Sequence, residues 1–155
     1  MNSEFQLAKK IYSKDLPPML KGDILSTLKA LRAEQTFDLS NPPLLTKYAD
    51  IARWKEGIKH LNAPKHFDSL FIRSLFEDET RTLMLAWATD IVPDEEHLDL
   101  KESFLILEGT CTFKTESFSK NYSVGDYVEV PDCHHSVIVT SQMPLKAVIQ
   151  RLKAA

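Results

Sequence analysis

Residues 95–135 read EEHLDLKESFLILEGTCTFKTESFSKNYSVGDYVEVPDCHH, and this stretch determines both the predicted fold and the candidate site. Its histidine, glutamate, glycine and proline residues form two spaced groups, His97-x4-Glu102-x6-Gly109 and Gly125-x5-Pro131-x2-His134. Between the groups, β-branched and aromatic residues alternate with polar ones. This period of two is typical of half-buried strands, so the stretch predicts β-structure that carries polar side chains at fixed positions.

The whole chain after Pro64 predicts short strands. There the apolar period changes from about 3.6 to 2. Candidate strands span residues 69–75, 82–90, 102–114, 122–123, 127–130, 136–140 and 147–152. Turn residues separate them at 77–79, 93–94, 124–126, 131–132 and 142–144. Short strands at such spacing predict a mainly β fold, a double-sheet jelly-roll barrel.

The first 65 residues predict α-helices instead. Ser3 is a candidate N-cap for one helix, and Asp15 for a second helix that ends near Ala33. A third helix is expected over residues 40–61, because its apolar residues would share one face: Leu44, Tyr48, Ile51, Ile58 and Leu61. The chain therefore divides into a helical extension, 1–65, and a β-barrel domain, 66–155. The apolar faces of the helices either cover the barrel or bind another protein.

Composition and charge exclude several classes of protein. Residues 1–65 carry eleven Lys and Arg against seven Asp and Glu, whereas the remainder carries eight against fifteen. The basic residues of the first part are dispersed among apolar ones, so we expect no nucleic-acid partner. No secretory signal is evident, and no apolar run approaches the ~20 residues that span a bilayer. We therefore expect a cytoplasmic protein that does not enter a membrane.

The two groups of residues resemble the two sequence motifs of cupin domains. Those motifs are Gly-x5-His-x-His-x3 or 4-Glu-x6-Gly and Gly-x5-Pro-x-Gly-His-x3-Asn. The departures of this chain from them include Glu95 for the first histidine of the pair, Cys133 for the glycine before the last histidine, and Ile138 for the asparagine. The resemblance covers residues 67–152. It implies a single cupin-type double-stranded β-helix, preceded by the N-terminal α-helices.

The resemblance also implies a metal site formed by His97, Glu102 and His134. Glu95 is a further candidate ligand, with an exposed acidic turn as its alternative. Two imidazoles and a carboxylate suit a divalent ion of iron, manganese, nickel or zinc. His135 follows His134 and would face the other way, at the surface or behind a ligand.

Several nearby residues are expected to have structural roles. Asp99 or Asp132 would orient a ligating imidazole. Cys111 is predicted to be a small core residue rather than a nucleophile. Trp87 and Phe104 are predicted to lie in the core or to line a pocket for an apolar molecule.

The implied function is that of a small metal-dependent cupin enzyme, dioxygenase-like, that acts on a small molecule. One alternative is a non-catalytic cupin that senses a metal or ligand while its helices bind a partner. Residues 102–111 are similar to the cupin domain of cupin-type anti-sigma regulators, but this chain has no Cys before Cys111 for the zinc-binding module of those proteins. A third alternative is a metal-free scaffold. The resemblance further implies a homodimer.

Overall fold

The computed structural model describes residues 37–95 and 100–153, with the backbone alone at 93–95. The two helices predicted to begin near Ser3 and Asp15 lie outside the described residues. The described part contains one helix, α1 (Ile51–Ile58), followed by nine strands. The strands are β1 (Leu70–Glu77), β2 (Arg81–Ala88), β3 (Ile91–Glu95), β4 (Leu100–Glu108), β5 (Cys111–Thr115), β6 (Ser119–Tyr122), β7 (Tyr127–Glu129), β8 (His135–Val139) and β9 (Leu145–Lys153).

The strands form two antiparallel sheets. One sheet has five strands in the order β1-β2-β9-β4-β7, and the other has four in the order β3-β8-β5-β6. Most neighbours in each sheet, such as β2 and β9 or β3 and β8, are distant in the sequence, as in a jelly roll, where the chain crosses repeatedly between the two layers. The predicted mainly β, double-sheet barrel is therefore confirmed. In the described ranges, no helix is long and apolar enough to cross a membrane.

The predicted strand over residues 102–114 is in fact two strands, β4 and β5, which belong to different sheets. The chain turns at Gly109, whose φ of +83° is strained for any residue with a side chain. A Cβ there would also lie 2.8 Å from the Ser141 hydroxyl oxygen. The motif glycine is therefore needed both for its backbone conformation and for the close approach of the loop at Ser141.

The sequence missed β3 and most of β6. Residues 93–94 were predicted as a turn, yet β3 continues through them and pairs with β8. Pro93 is compatible with a strand here because β3 is the edge of its sheet and the pairing is irregular between Val92 and Glu95. Prolines are accepted at edge strands and bulges, where no ladder amide is lost.

The third predicted helix, over residues 40–61, is shorter in the structure. α1 begins only at Ile51, after the N-cap Asp50, whose carboxylate accepts from the Ala52 and Arg53 amides at 3.0 and 3.4 Å. Residues 40–50 have no helical conformation. Leu44 and Tyr48, predicted to lie on the buried helix face, are exposed.

Long-range hydrogen bonds explain why residues 42–45 are not helical. The Arg81 guanidinium donates to the carbonyls of Pro42 and Pro43. The Gln150 side chain accepts from the Leu45 amide at 2.8 Å and donates to the Leu45 carbonyl at 3.1 Å. These backbone groups are therefore hydrogen-bonded to side chains of the sheet and are not available for the hydrogen bonds of a helix.

The five-stranded sheet is apolar on both faces, and each face has its own core. Along β4, Leu105 and Leu107 face outward and Phe104 and Ile106 face the barrel interior. The outer core joins sheet residues to the segment that precedes the barrel: Leu45, Trp54, Ile58, Leu61, Leu83, Leu85, Trp87, Leu105, Leu107 and Val148. The described end of the N-terminal region therefore covers one face of the barrel.

We expect Gln150→Leu to lower the free energy of unfolding by about 2 kcal/mol, because the buried amide and carbonyl of Leu45 would lose their partners. Urea unfolding followed by circular dichroism measures this change. Gln142→Leu is the matched control, since Gln142 is exposed and its replacement should cost less than about 0.5 kcal/mol. Equal stability of the two variants would contradict this account of residues 42–45.

Candidate ligand and metal site

Of the four predicted metal ligands, the structure describes the side chains of Glu102 and His134. His97 lies outside the described residues. Glu95 ends β3, where its backbone pairs with that of His135, and its side chain is not described. Glu102, on β4, is 8% exposed, whereas His134 lies just before β8 and is exposed. The described structure therefore does not bring His134 to Glu102.

His135, rather than His134, faces the barrel interior. It is 6% exposed, so the surface interpretation of this residue is wrong. His135 opens β8, and Val137 and Val139 on the same face of that strand pack against the interior core. Because side chains alternate along a strand, residues 135, 137 and 139 share the inward face. The inward position is thus one residue later than the motif spacing predicts.

Glu102, His135 and Arg151 form a polar cluster inside the barrel. Arg151 Nε donates to Glu102 Oε1 at 2.9 Å, and His135 Nε2 lies 3.8 Å from Glu102 Oε2. Glu102 and Arg151 are direct cross-strand partners in the β4–β9 pairing, which places both side chains on the same face. The sequence motif predicted Glu102 but not Arg151. The two residues are 49 positions apart, and no local sequence pattern relates residues at that separation.

The orientation of the His135 ring is fixed from two sides. Its Nδ1 lies 3.2 Å from the Cys133 carbonyl oxygen, and the ring stacks on Phe113 with centroids 5.2 Å apart and planes 16° apart. A carbonyl oxygen only accepts, so Nδ1 carries the proton and Nε2 is turned to Glu102. The predicted orienting role of Asp132 is not seen, because that residue is exposed, and Asp99 lies outside the described residues. The Cys133 carbonyl takes this role.

The pair formed by Glu102 and His135 fits two positions of a metal site. An ion bound at about 2.0–2.2 Å from each donor places the donors about 3–4 Å apart, and the observed separation is 3.8 Å. A ligating imidazole also typically donates its other ring nitrogen to a carbonyl or carboxylate, as His135 does. Within 37–95 and 100–153, no group of three or more His, Cys, Asp or Glu side chains is arranged around one point. A third protein ligand would therefore come from the residues whose side chains are not described, among them Glu95 and His97.

The polar cluster lies at one end of an interior cavity of about 80 Å³. Apart from Glu102, His135 and Arg151, every lining residue is apolar, among them Leu70, Met84, Ala86, Phe104, Ala147 and Ile149. Phe104 therefore has both predicted roles, core and cavity wall, whereas Trp87 belongs to the outer core.

Two open grooves on the outside of the barrel share lining residues with the cavity. Glu102 and Val130 line the cavity and also a groove that includes Leu44 and Leu45. His135 lines the cavity and a second groove that includes Lys114. Two residues of the polar cluster, Glu102 and His135, therefore line both the cavity and an outer groove.

Cys111 is a core residue, as predicted. It is fully buried in the interior core, and burial, with a smaller contribution from Asp126, raises the pKa of its thiol to about 11. A thiol with so high a pKa is a poor nucleophile near neutral pH.

Comparison with known proteins identifies the fold. No family model matches the chain, and no curated protein matches it. Solved structures do match. The cupin domain of Cnp3 from Schizosaccharomyces pombe has a TM-score of 0.52 and 15% identity, over 56% of this chain and 66% of that one. A cupin-2 domain protein from Shewanella frigidimarina has a TM-score of 0.51 and 17% identity, over 69% and 96%.

A third similar structure comes from a regulator. The cupin-2 domain of an XRE-family transcriptional regulator from Enterobacter cloacae has a TM-score of 0.50 and 14% identity, over 54% of this chain and 96% of that one. Likeness at these identities shows the architecture and leaves activity open, because one fold carries many functions.

Proposed function

We propose that this chain, which has the cupin fold, holds a divalent ion of iron, manganese, nickel or zinc and acts on a small molecule in the barrel as a dioxygenase-like metalloenzyme. Glu102 and His135 would be two of the ligands, and His97 the third. The observation that carries the proposal is the buried pair itself, with Glu102 Oε2 and His135 Nε2 3.8 Å apart and the imidazole turned by the Cys133 carbonyl. His97 supports it as the remaining imidazole of the sequence motif, five residues before Glu102.

The residues of the chain have distinct tasks in this proposal. Glu102 supplies the negative charge that a divalent ion needs, and the hydrogen bond from Arg151 holds that carboxylate in one orientation. Phe113 and the Cys133 carbonyl hold His135. When bound, the ion would supply Lewis-acid or redox chemistry. The apolar cavity walls would exclude water from the reacting molecule.

The test is metal content. We expect about one equivalent of metal in protein purified without a metal-affinity tag, or after reconstitution with each of the four ions. His135→Ala should retain less than about a tenth of an equivalent, since a buried ligand is lost. His134→Ala is the matched control, an adjacent but exposed histidine whose loss should leave the metal content unchanged.

Two outcomes would contradict this assignment. If no ion binds the wild-type protein, the metal proposal fails. If His134→Ala loses the metal while His135→Ala keeps it, His134, the histidine at the motif spacing, is the ligand and His135 is not. Thermal unfolding of both variants shows that each remains folded.

A second candidate is a metal-free barrel that binds a ligand and passes the signal to a partner of the N-terminal region. The observation that favours it is the 2.9 Å contact between Arg151 Nε and Glu102 Oε1, which already provides the carboxylate with a cation. A guanidinium at this distance disfavours a further positive charge nearby. In this case, Glu102 and Arg151 would serve as a hydrogen-bonding platform for the ligand.

A further inference from the structure

We propose that the barrel cavity binds a short, branched aliphatic carboxylate, of the size of 3-methylbutanoate, with its hydrocarbon body among the apolar walls and its carboxylate at the polar cluster. This inference rests on the proposed function in so far as both use the same cavity. It adds the class of ligand and the residues that limit its size.

The lining of the cavity determines the polarity of the ligand. Only Glu102, His135 and Arg151 are polar, and they contact one another at one end. A ligand that fills the remainder must therefore be apolar over most of its length, because a polar group there would find no hydrogen-bond partner. Its polar group belongs at the cluster.

The charge of the cluster favours an anionic head group. The charges of Glu102 and Arg151 compensate each other, so an ion bound by Glu102 and His135 makes the end of the cavity positive. Without an ion, the cluster still presents a guanidinium, whose planar array of N–H donors is well matched to carboxylates. A cationic ligand is disfavoured when the ion is bound.

The outer grooves determine the direction of binding. Glu102 lines both the cavity and one groove, and His135 lines both the cavity and the other, so the polar cluster is the wall that the cavity shares with the grooves. A ligand that enters from there places its apolar body in the barrel first and leaves its head group at the cluster. This direction keeps the carboxylate close to solvent and avoids carrying a charge through the apolar walls.

The size of the body is limited by alanines on adjacent strands. Ala86 on β2 and Ala147 on β9 are direct cross-strand partners, and both are buried and line the cavity. A larger side chain at either position would occupy the space that these methyl groups leave. The cavity, at about 80 Å³, is also smaller than the roughly 150 Å³ of an engineered cavity that accepts benzene. A body of four carbons, as in 3-methylbutanoate, suits this volume better than an aromatic ring.

Calorimetric titration of the full chain tests the inference, both as purified and after removal of metal with a chelator. We expect 3-methylbutanoate to bind with a Kd below about 1 mM, within the range open to a ligand of so few atoms. The isosteric 3-methylbutanamide, which lacks the charge, should bind about tenfold more weakly. Octanoate should bind more weakly because its chain exceeds the cavity.

Two cavity variants and one control locate the site. Ala147→Leu should weaken binding at least about tenfold by filling the cavity, and Ala86→Val tests the same wall with a smaller change in case the first variant is overpacked. Ala52→Leu, on the exposed surface of α1, should leave the affinity unchanged. Binding that is equal for acid and amide, or unaffected by both cavity variants, would overturn the inference.

The outcomes separate this inference from the metal proposal. If the protein holds metal but binds no carboxylate at 10 mM, a working concentration about tenfold above the weakest expected Kd, the ligand class is wrong and the metal site stands. If the protein holds no metal but binds the acid, the ligand class stands, and Arg151 supplies the positive charge. If neither binds, both proposals fail.

Discussion

Glu102→Gln is expected to abolish metal binding while leaving the barrel folded. The amide keeps the shape of the carboxylate and can still accept from Arg151 Nε, so the free energy of unfolding should fall by only about 1 kcal/mol, the difference between a charged and a neutral hydrogen bond. Metal affinity should fall at least about 100-fold, because the only described carboxylate beside His135 Nε2 is lost. Equilibrium dialysis with elemental analysis measures the affinity, and urea unfolding measures the stability.

Glu108→Gln is the matched control for this variant. Glu108 lies on the same strand, β4, but it is exposed, so its replacement should leave metal binding unchanged. Arg151→Gln separates the two candidate functions. If Glu102 is a ligand, Arg151→Gln should weaken metal binding by about tenfold, because the carboxylate loses the hydrogen bond that holds it in one orientation. If Glu102→Gln retains full metal affinity, Glu102 is not a ligand, and the metal-free candidate is favoured.

The motif spacing predicted the inward-facing histidine only to within one residue: it indicated His134, whereas His135 faces the barrel interior. The motif spacing locates the correct turn, strand and residue type, but the inward face depends on where β8 begins to pair. That strand starts at His135, opposite Glu95 on β3 and Thr115 on β5. Its apolar run includes Ile138 as well as Val137 and Val139, so local alternation alone does not decide which face is buried.

The prediction for the barrel was successful because its signals are local. Period-two patterns and turn residues located most strands, and the later comparison confirmed the cupin fold. β3 was missed because Pro93 is a turn signal by residue type, and only its position at the edge of the sheet makes it compatible with a strand. Gly109 was recognised as a motif residue, but the two strands that it separates, β4 and β5, were predicted as one continuous strand.

The prediction for residues 40–50 failed because distant residues determine their structure. The apolar spacing of Leu44 and Tyr48 matches a helix, but Arg81 and Gln150 bind the backbone of residues 42–45 in a non-helical conformation. These partners lie 38 to 105 residues away in sequence. A local pattern contains no information about them, so tertiary contacts override it.

Trp54→Ala is expected to be the most destabilising single change in the described part of α1, at about 4 kcal/mol. Trp54 is fully buried in the outer core, and the Phe37 ring contacts its edge with centroids 4.9 Å apart. Removal of the indole would leave a large cavity between α1 and the sheet. The control is Tyr48→Ala. The sequence pattern also predicted Tyr48 on a buried helix face, but this residue is 60% exposed. Its replacement should therefore lower the free energy of unfolding by less than about 0.5 kcal/mol.

The shape of the urea transition also tests the division of the chain at residue 65. Trp54 packs in one core with Leu85 and Leu105 of the sheet, so α1 and the barrel should unfold together. We therefore expect Trp54→Ala to shift a single transition that is reported equally by tryptophan fluorescence and by circular dichroism. If the variant instead shows an early transition and a later one at the wild-type midpoint, α1 unfolds independently of the barrel. In that case, the outer core would be a docking contact between two separate units, and the barrel would not depend on the N-terminal region for its stability.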